Sequence, residues 1–195
     1  MSSIISGVLS STWPMILVSV VVATSLRLTY LVKNHIHFTF YKEVFMLVAI
    51  VYVLELFQIV TSGDVVSWST NNFIPFQEMF RYRIGSPLFI KNVIGNIVLF
   101  MPYGFFIGFY LKEDKARFIL LLTLLVSVTI ECVQMSIGRV FDVDDILLNT
   151  LGGFIGAKVY ILLVKLTNHI PAFFKSEFFL NIVAFVALLG FFILI

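Results

Sequence analysis

The chain has 195 residues, 60% of them hydrophobic and 12% charged, with a net charge of +2 at pH 7. A soluble domain carries about 25% charged residues, so this surface is not built for water, and so small a charge gives nucleic acid no footing. The mean hydropathy of +1.05 gathers into blocks of roughly 20 residues, the length that spans about 30 Å of hydrocarbon.

Six such blocks fall at about 8–31, 43–61, 92–111, 117–137, 146–166 and 178–195. They predict an all-α, polytopic membrane bundle of about six transmembrane helices, forming one integral membrane domain over 1–195. None alternates apolar and polar residues as a membrane β-strand does. The first block lacks the basic stretch of a cleaved signal peptide and is read as a retained helix. Arg27, near its end, is expected to snorkel toward the interface. His35 and His37 occupy a short loop and are read as solvated.

The second block carries Glu55 and Gln58. A charged side chain at membrane depth costs about 2.5–3.5 kcal/mol on insertion scales, and so marks a polar interior and a functional candidate. The segment 62–91 follows, with Asn72-Phe-Ile-Pro75-Phe76 and then Glu78, Arg81 and Arg83; its aromatic and apolar residues fit an interfacial or re-entrant segment. Asn92 and Asn96 open the third block at i, i+4 spacing. Pro102 inside it removes a backbone donor and is expected to kink the helix.

The fourth block repeats the pattern of the second, as Glu131-x-x-Gln134, so both side chains lie on one helix face. Arg139 is the nearest cation to Glu131. Cys132, beside Glu131, is read as a small buried apolar side chain that forms no internal disulfide. The loop 138–145 then concentrates Arg139, Asp142, Asp144 and Asp145. Asp142 or Asp144 suits the cap of the fifth helix, and Asp145 shares a face with Asn149. These acids lack the Asp-x-Asp-Gly pattern of a calcium loop, so no metal site and no cofactor is expected.

The third and fifth blocks each hold a G-x-x-x-G, Gly104/Gly108 and Gly152/Gly156, which permits close backbone approach of helices. Together with the two E-x-x-Q helices they fit an internal parallel repeat. Basic residues set orientation: Lys33, Lys42, Lys112, Lys115, Arg117, Lys165 and Lys175 fall in one set of loops, and Arg81, Arg83, Lys91 and Arg139 in the other. The larger set is assigned to the cytoplasm, which puts both termini, 62–91 and 138–145 on the extracytoplasmic side.

No G-x-S-x-G, H-E-x-x-H, P-loop or paired C-x-x-C occurs. The ordered run Asn92-x-x-x-Asn96-x-x-x-Phe100-x-Pro102-x-Gly104, then Glu131-x-x-Gln134, Arg139, Asp142, Asp145, Asn149 and Gly152, resembles the VanZ-like family, with Asn72-Phe-Ile-Pro75-Phe76 similar to its preceding loop. The resemblance covers roughly 45–166. It implies a small multi-pass protein of the bacterial plasma membrane, in a family named for low-level teicoplanin resistance.

Three functions compete on these residues. The first is binding of an envelope lipid, a lipid-linked cell-wall precursor or the glycopeptide itself. Its outward-facing polar cleft is lined by Glu131, Gln134, Arg139 and Asn149, with Asp142, Asp145, Asn92, Asn96, Glu55 and Gln58 as further candidates. The second is an intramembrane enzyme using Glu131 as general acid/base on an envelope lipid. The third is a proton-coupled transporter, as a homodimer, with Glu55 and Glu131 on its path.

Overall fold

The computed structural model describes the backbone of residues 2–61, 71–112 and 115–194, and side chains over 12–61, 71–112 and 115–190. Residues 62–70 of the predicted 62–91 segment lie outside the described residues. The helices are α1 (Ser2–Lys33), α2 (Phe40–Thr61), α3 (Gln77–Arg81), α4 (Pro87–Leu111), α5 (Ala116–Ser136), α6 (Val143–Thr167) and α7 (Glu177–Leu194). Among the described residues there is no strand, only an isolated bridge between Asn72 and Asp142. The chain is an all-α polytopic membrane protein.

Five helices, α1, α2, α4, α5 and α6, are long and apolar enough to cross a membrane. The sixth predicted block is α7, a shorter apolar helix in its described part. Helix α3 is absent from the sequence-based reading, and so is a π-helical turn over Ile90–Ile94 within α4. Helix α4 runs on through Pro102.

The chain divides into two compact units, Met1–Gln58 with Thr167–Ile195, and Ile59–Leu166. In the first, Arg27 does not simply snorkel. Its Nε and Nη2 donate to the Glu43 carboxylate at 2.9 and 3.1 Å, the planar fork matching two oxygens. Glu55 accepts from the Thr12 hydroxyl at 2.7 Å, and Asn181 Oδ1 accepts the Tyr41 backbone N–H at 2.9 Å.

In the second unit, glycines let α4 and α6 meet backbone to backbone. A Cβ on Gly104 would stand 1.9 Å from the Gly153 carbonyl oxygen, and one on Gly156 1.9 Å from that of Met101. Gly152 likewise faces Ile97. From Ile97 with Gly152, through Met101 with Gly156, to Gly108 with Tyr160 the numbers rise together, so α4 and α6 run parallel. Lipid tails supply no hydrophobic drive between helices, so such close packing is what joins them.

Candidate functional site

Helix α5 turns one stripe inward at four-residue steps: Ile119, Thr123, Ser127 and Glu131 are all buried. This is the i, i+4 row of an α-helix. Helix α6 meets it from the opposite direction. Thr123 lies against Gly153, where only a hydrogen fits. One turn on, Asn149 Nδ2 donates to Ser127 Oγ at 3.0 Å. One turn further, Glu131 Oε2 accepts the backbone N–H of Asp142 at 2.9 Å. The seam grows more polar toward the loop that joins the two helices.

That loop is shaped to bring Asp142 back onto Glu131. Gly138 ends α5 at φ 83°, a left-handed conformation that glycine adopts without strain. The Arg139 N–H then donates to the Gln134 carbonyl at 2.9 Å. Asp142 caps α6 as expected, its Oδ1 accepting the Asp144 N–H at 2.8 Å and Asn72 Nδ2 at 2.8 Å. The Asn72 N–H also donates to the Phe141 carbonyl, and the Asn72 carbonyl accepts the Val143 N–H, while Phe73 stacks on Phe141 with centroids 5.3 Å apart.

Asp144 has a role that the sequence did not announce. It is 1% exposed, and its carboxylate accepts the backbone N–H groups of Phe76, Glu78 and Met79 at 2.5, 2.7 and 3.1 Å. It therefore caps α3, not its own helix. Phe76 sits at φ 69°, an unfavourable conformation for a residue with a side chain, and Asp144 holds the chain there.

Around Glu131 the remaining candidates fall into place by helix. Asp145 Oδ1 accepts from Asn96 Nδ2 at 2.5 Å, joining α6 to α4. Asn92 stands on the π turn, half-buried, at the start of α4; such turns often accompany functional sites. Gln134 Nε2 donates to the Val60 carbonyl at 2.7 Å, and Arg139 Nη1 donates to the same oxygen. Both thus satisfy an end carbonyl of α2. Arg139 takes part in no ion pair among the described residues, where the pairs are Arg27–Glu43 and Arg81–Glu78.

Glu131, Gln134, Arg139, Asp142, Asp145, Asn149, Asn92 and Asn96 all lie in the second unit, whereas Glu55 and Gln58 lie in the first. Cys132 corrects the sequence reading, being exposed on α5. At 3.6 residues per turn the neighbour of an inward Glu131 points about 100° away from it. Two buried oxygens, Asn149 Oδ1 and Thr150 Oγ1, have no hydrogen-bond partner among the described residues. The Asp142 carboxyl is pushed above the usual carboxylate range by burial, against the lowering effect of its bonds from Asp144 and Asn72.

A family model described as VanZ/LLP1 matches residues 38–167, more than half of the chain. Protein VanZ of Enterococcus faecium is 33% identical over 104 residues, covering 50% of this chain and 56% of that protein. The chain thus spans little more than half the length of that curated relative. No solved structure matches the chain.

Proposed function

This chain belongs to the VanZ/LLP1 family, and from that premise we propose that its second unit binds the headgroup of an envelope lipid or lipid-linked cell-wall precursor. The observation that carries this reading is a carboxylate, Glu131, 1% exposed in an apolar helix and bonded to a loop N–H in place of a basic side chain. A buried charge without a cation is costly. Retaining one beside Asp145, the orphan oxygen of Asn149 and an arginine outside any ion pair suits a ligand that completes the set.

The chemistry of that ligand follows from the groups it meets. Arg139 keeps donors for a phosphate or carboxylate, which its planar fork matches better than a lysine would. Glu131, Asp145 and Asn149 Oδ1 are acceptors for hydroxyl or amide N–H groups. A headgroup with a phosphate and hydroxyls satisfies both kinds. We assign the site to the extracytoplasmic face on the distribution of basic residues. A contribution to teicoplanin resistance would then come through occupancy of this site.

The test is lipid retention by purified protein in nanodiscs, read by native mass spectrometry with undecaprenyl phosphate and phosphatidylglycerol as probes. Wild type should retain one of them, and Arg139→Lys should lose at least about tenfold in retention, since charge-assisted hydrogen bonds contribute about 1.5–3 kcal/mol. Equal retention by both proteins would overturn the assignment. Chemical change of the bound lipid would turn it from a binding site into an enzyme's.

A further inference from the structure

The segment between Asn71 and Lys91 presents a surface that the site above does not use. Phe73, Phe80 and Ile84 are 65%, 84% and 85% exposed, with Ile74, Phe76 and Leu88 exposed beside them. Arg81, Arg83 and Lys91 are exposed too, against one acid, Glu78, which is paired with Arg81 at 3.1 Å. The segment therefore combines large bare apolar side chains with a surplus of positive charge.

This exposure is built, not slack. Asp144 accepts the N–H groups of Phe76, Glu78 and Met79 within one turn of the segment, Asn72 bridges to Asp142 and Phe73 stacks on Phe141. Phe80 and Ile84 stand bare on a segment held at those points. Its end runs directly into α4 at Pro87, a helix apolar enough to cross the membrane, with Ser86 Oγ accepting the Phe89 N–H at 3.2 Å. The segment accordingly stands where the hydrocarbon begins.

We propose that Phe73–Leu88 is an interfacial anchor, seated in the boundary between headgroups and acyl chains of an anionic leaflet and locked in position by Asp144. Aromatic and apolar side chains with flanking Arg and Lys are the composition that lies in that boundary. Basic residues near an anionic surface are attracted to it, so phosphatidylglycerol suits this surface better than a zwitterionic lipid. The anchor would fix the Glu131 loop at headgroup depth.

Phe80→Trp, placed in a Trp13→Phe, Trp68→Phe chain, reports on this directly in proteoliposomes of phosphatidylcholine and phosphatidylglycerol, with bromines on the acyl chains of either lipid. Shallow bromines should quench the indole more than deep ones, and bromines on phosphatidylglycerol more than those on phosphatidylcholine at equal mole fraction. Arg83→Gln with Lys91→Gln should erase that headgroup preference while leaving the depth unchanged. Quenching by aqueous iodide without quenching by bromine would overturn the proposal. So would protection from both, which would mean that protein covers the surface. Equal quenching from both headgroups would overturn its anionic part.

Discussion

Glu131 and Asp142 stand eleven residues apart and are joined by a 2.9 Å hydrogen bond from the Asp142 backbone N–H to Glu131 Oε2. The bond links the buried carboxylate of α5 to the loop that opens α6. Through the Asp142 side chain it continues to Asn72, and through Asp144 to α3. A membrane-buried charge is thereby tied to a segment outside the spans.

The α4–α6 contact depends on glycine at a backbone crossing. Gly104→Ala puts a methyl carbon 1.9 Å from the Gly153 oxygen, so the helices must part. The loss should be about 1–3 kcal/mol. Gly190→Ala meets nothing within 4 Å and should leave stability unchanged or slightly raised, because alanine is the better helix former. Thermal unfolding in detergent compares the two. Equal behaviour would mean that the crossing is looser than described.

Asp144→Ala removes the acceptor for the N–H groups of Phe76, Glu78 and Met79 at the start of α3. The loss of such a cap costs about 0.5–2 kcal/mol, and the segment should open to trypsin after Arg81 and Arg83. Asp144→Asn keeps one acceptor oxygen and should show an intermediate cleavage rate. If both variants resist trypsin as wild type does, Asp144 is not the clamp.

Five of the six spans and the inward placement of Glu131 with Gln134 on α5 were legible in sequence, because helical period and membrane cost both leave local signals, whereas the Thr123 and Ser127 steps of that stripe were not read. The G-x-x-x-G glycines were legible as packing residues for the same reason. What escaped depends on contacts far apart in the chain. Asp144 reaches residues 66 positions away, and Gln134 and Arg139 reach Val60, so nothing near them in sequence names the partner. The π turn at Ile90–Ile94 has no composition of its own. Cys132 was misread by composition, although the helical period that turns Glu131 inward turns its neighbour out.

Asp142 should make stability depend on pH. Burial raises its carboxyl above the usual carboxylate range, so the folded state binds that proton more tightly than the unfolded chain. Its contribution is full below the ordinary carboxylate range and is lost as pH rises through the raised value. Both of its side-chain bonds end on Oδ1, an atom that asparagine keeps. Asp142→Asn should therefore be at least as stable as wild type at pH 7, with the advantage shrinking as pH falls toward about 4. A gap independent of pH would contradict this.

The central claim is that the Glu131 carboxylate serves a ligand and not the fold, and Glu131→Gln tests it most directly. Glutamine keeps an oxygen for the Asp142 N–H and removes the charge. Unfolding and lipid retention would be measured on the same nanodisc preparation. The account predicts a protein at least as stable as wild type, because an unpaired buried charge is costly to keep, and lipid retention reduced at least about tenfold, as for loss of a charge-assisted bond. Wild-type retention by a well-folded Glu131→Gln protein would contradict it and leave the carboxylate as a structural bond between α5 and its loop.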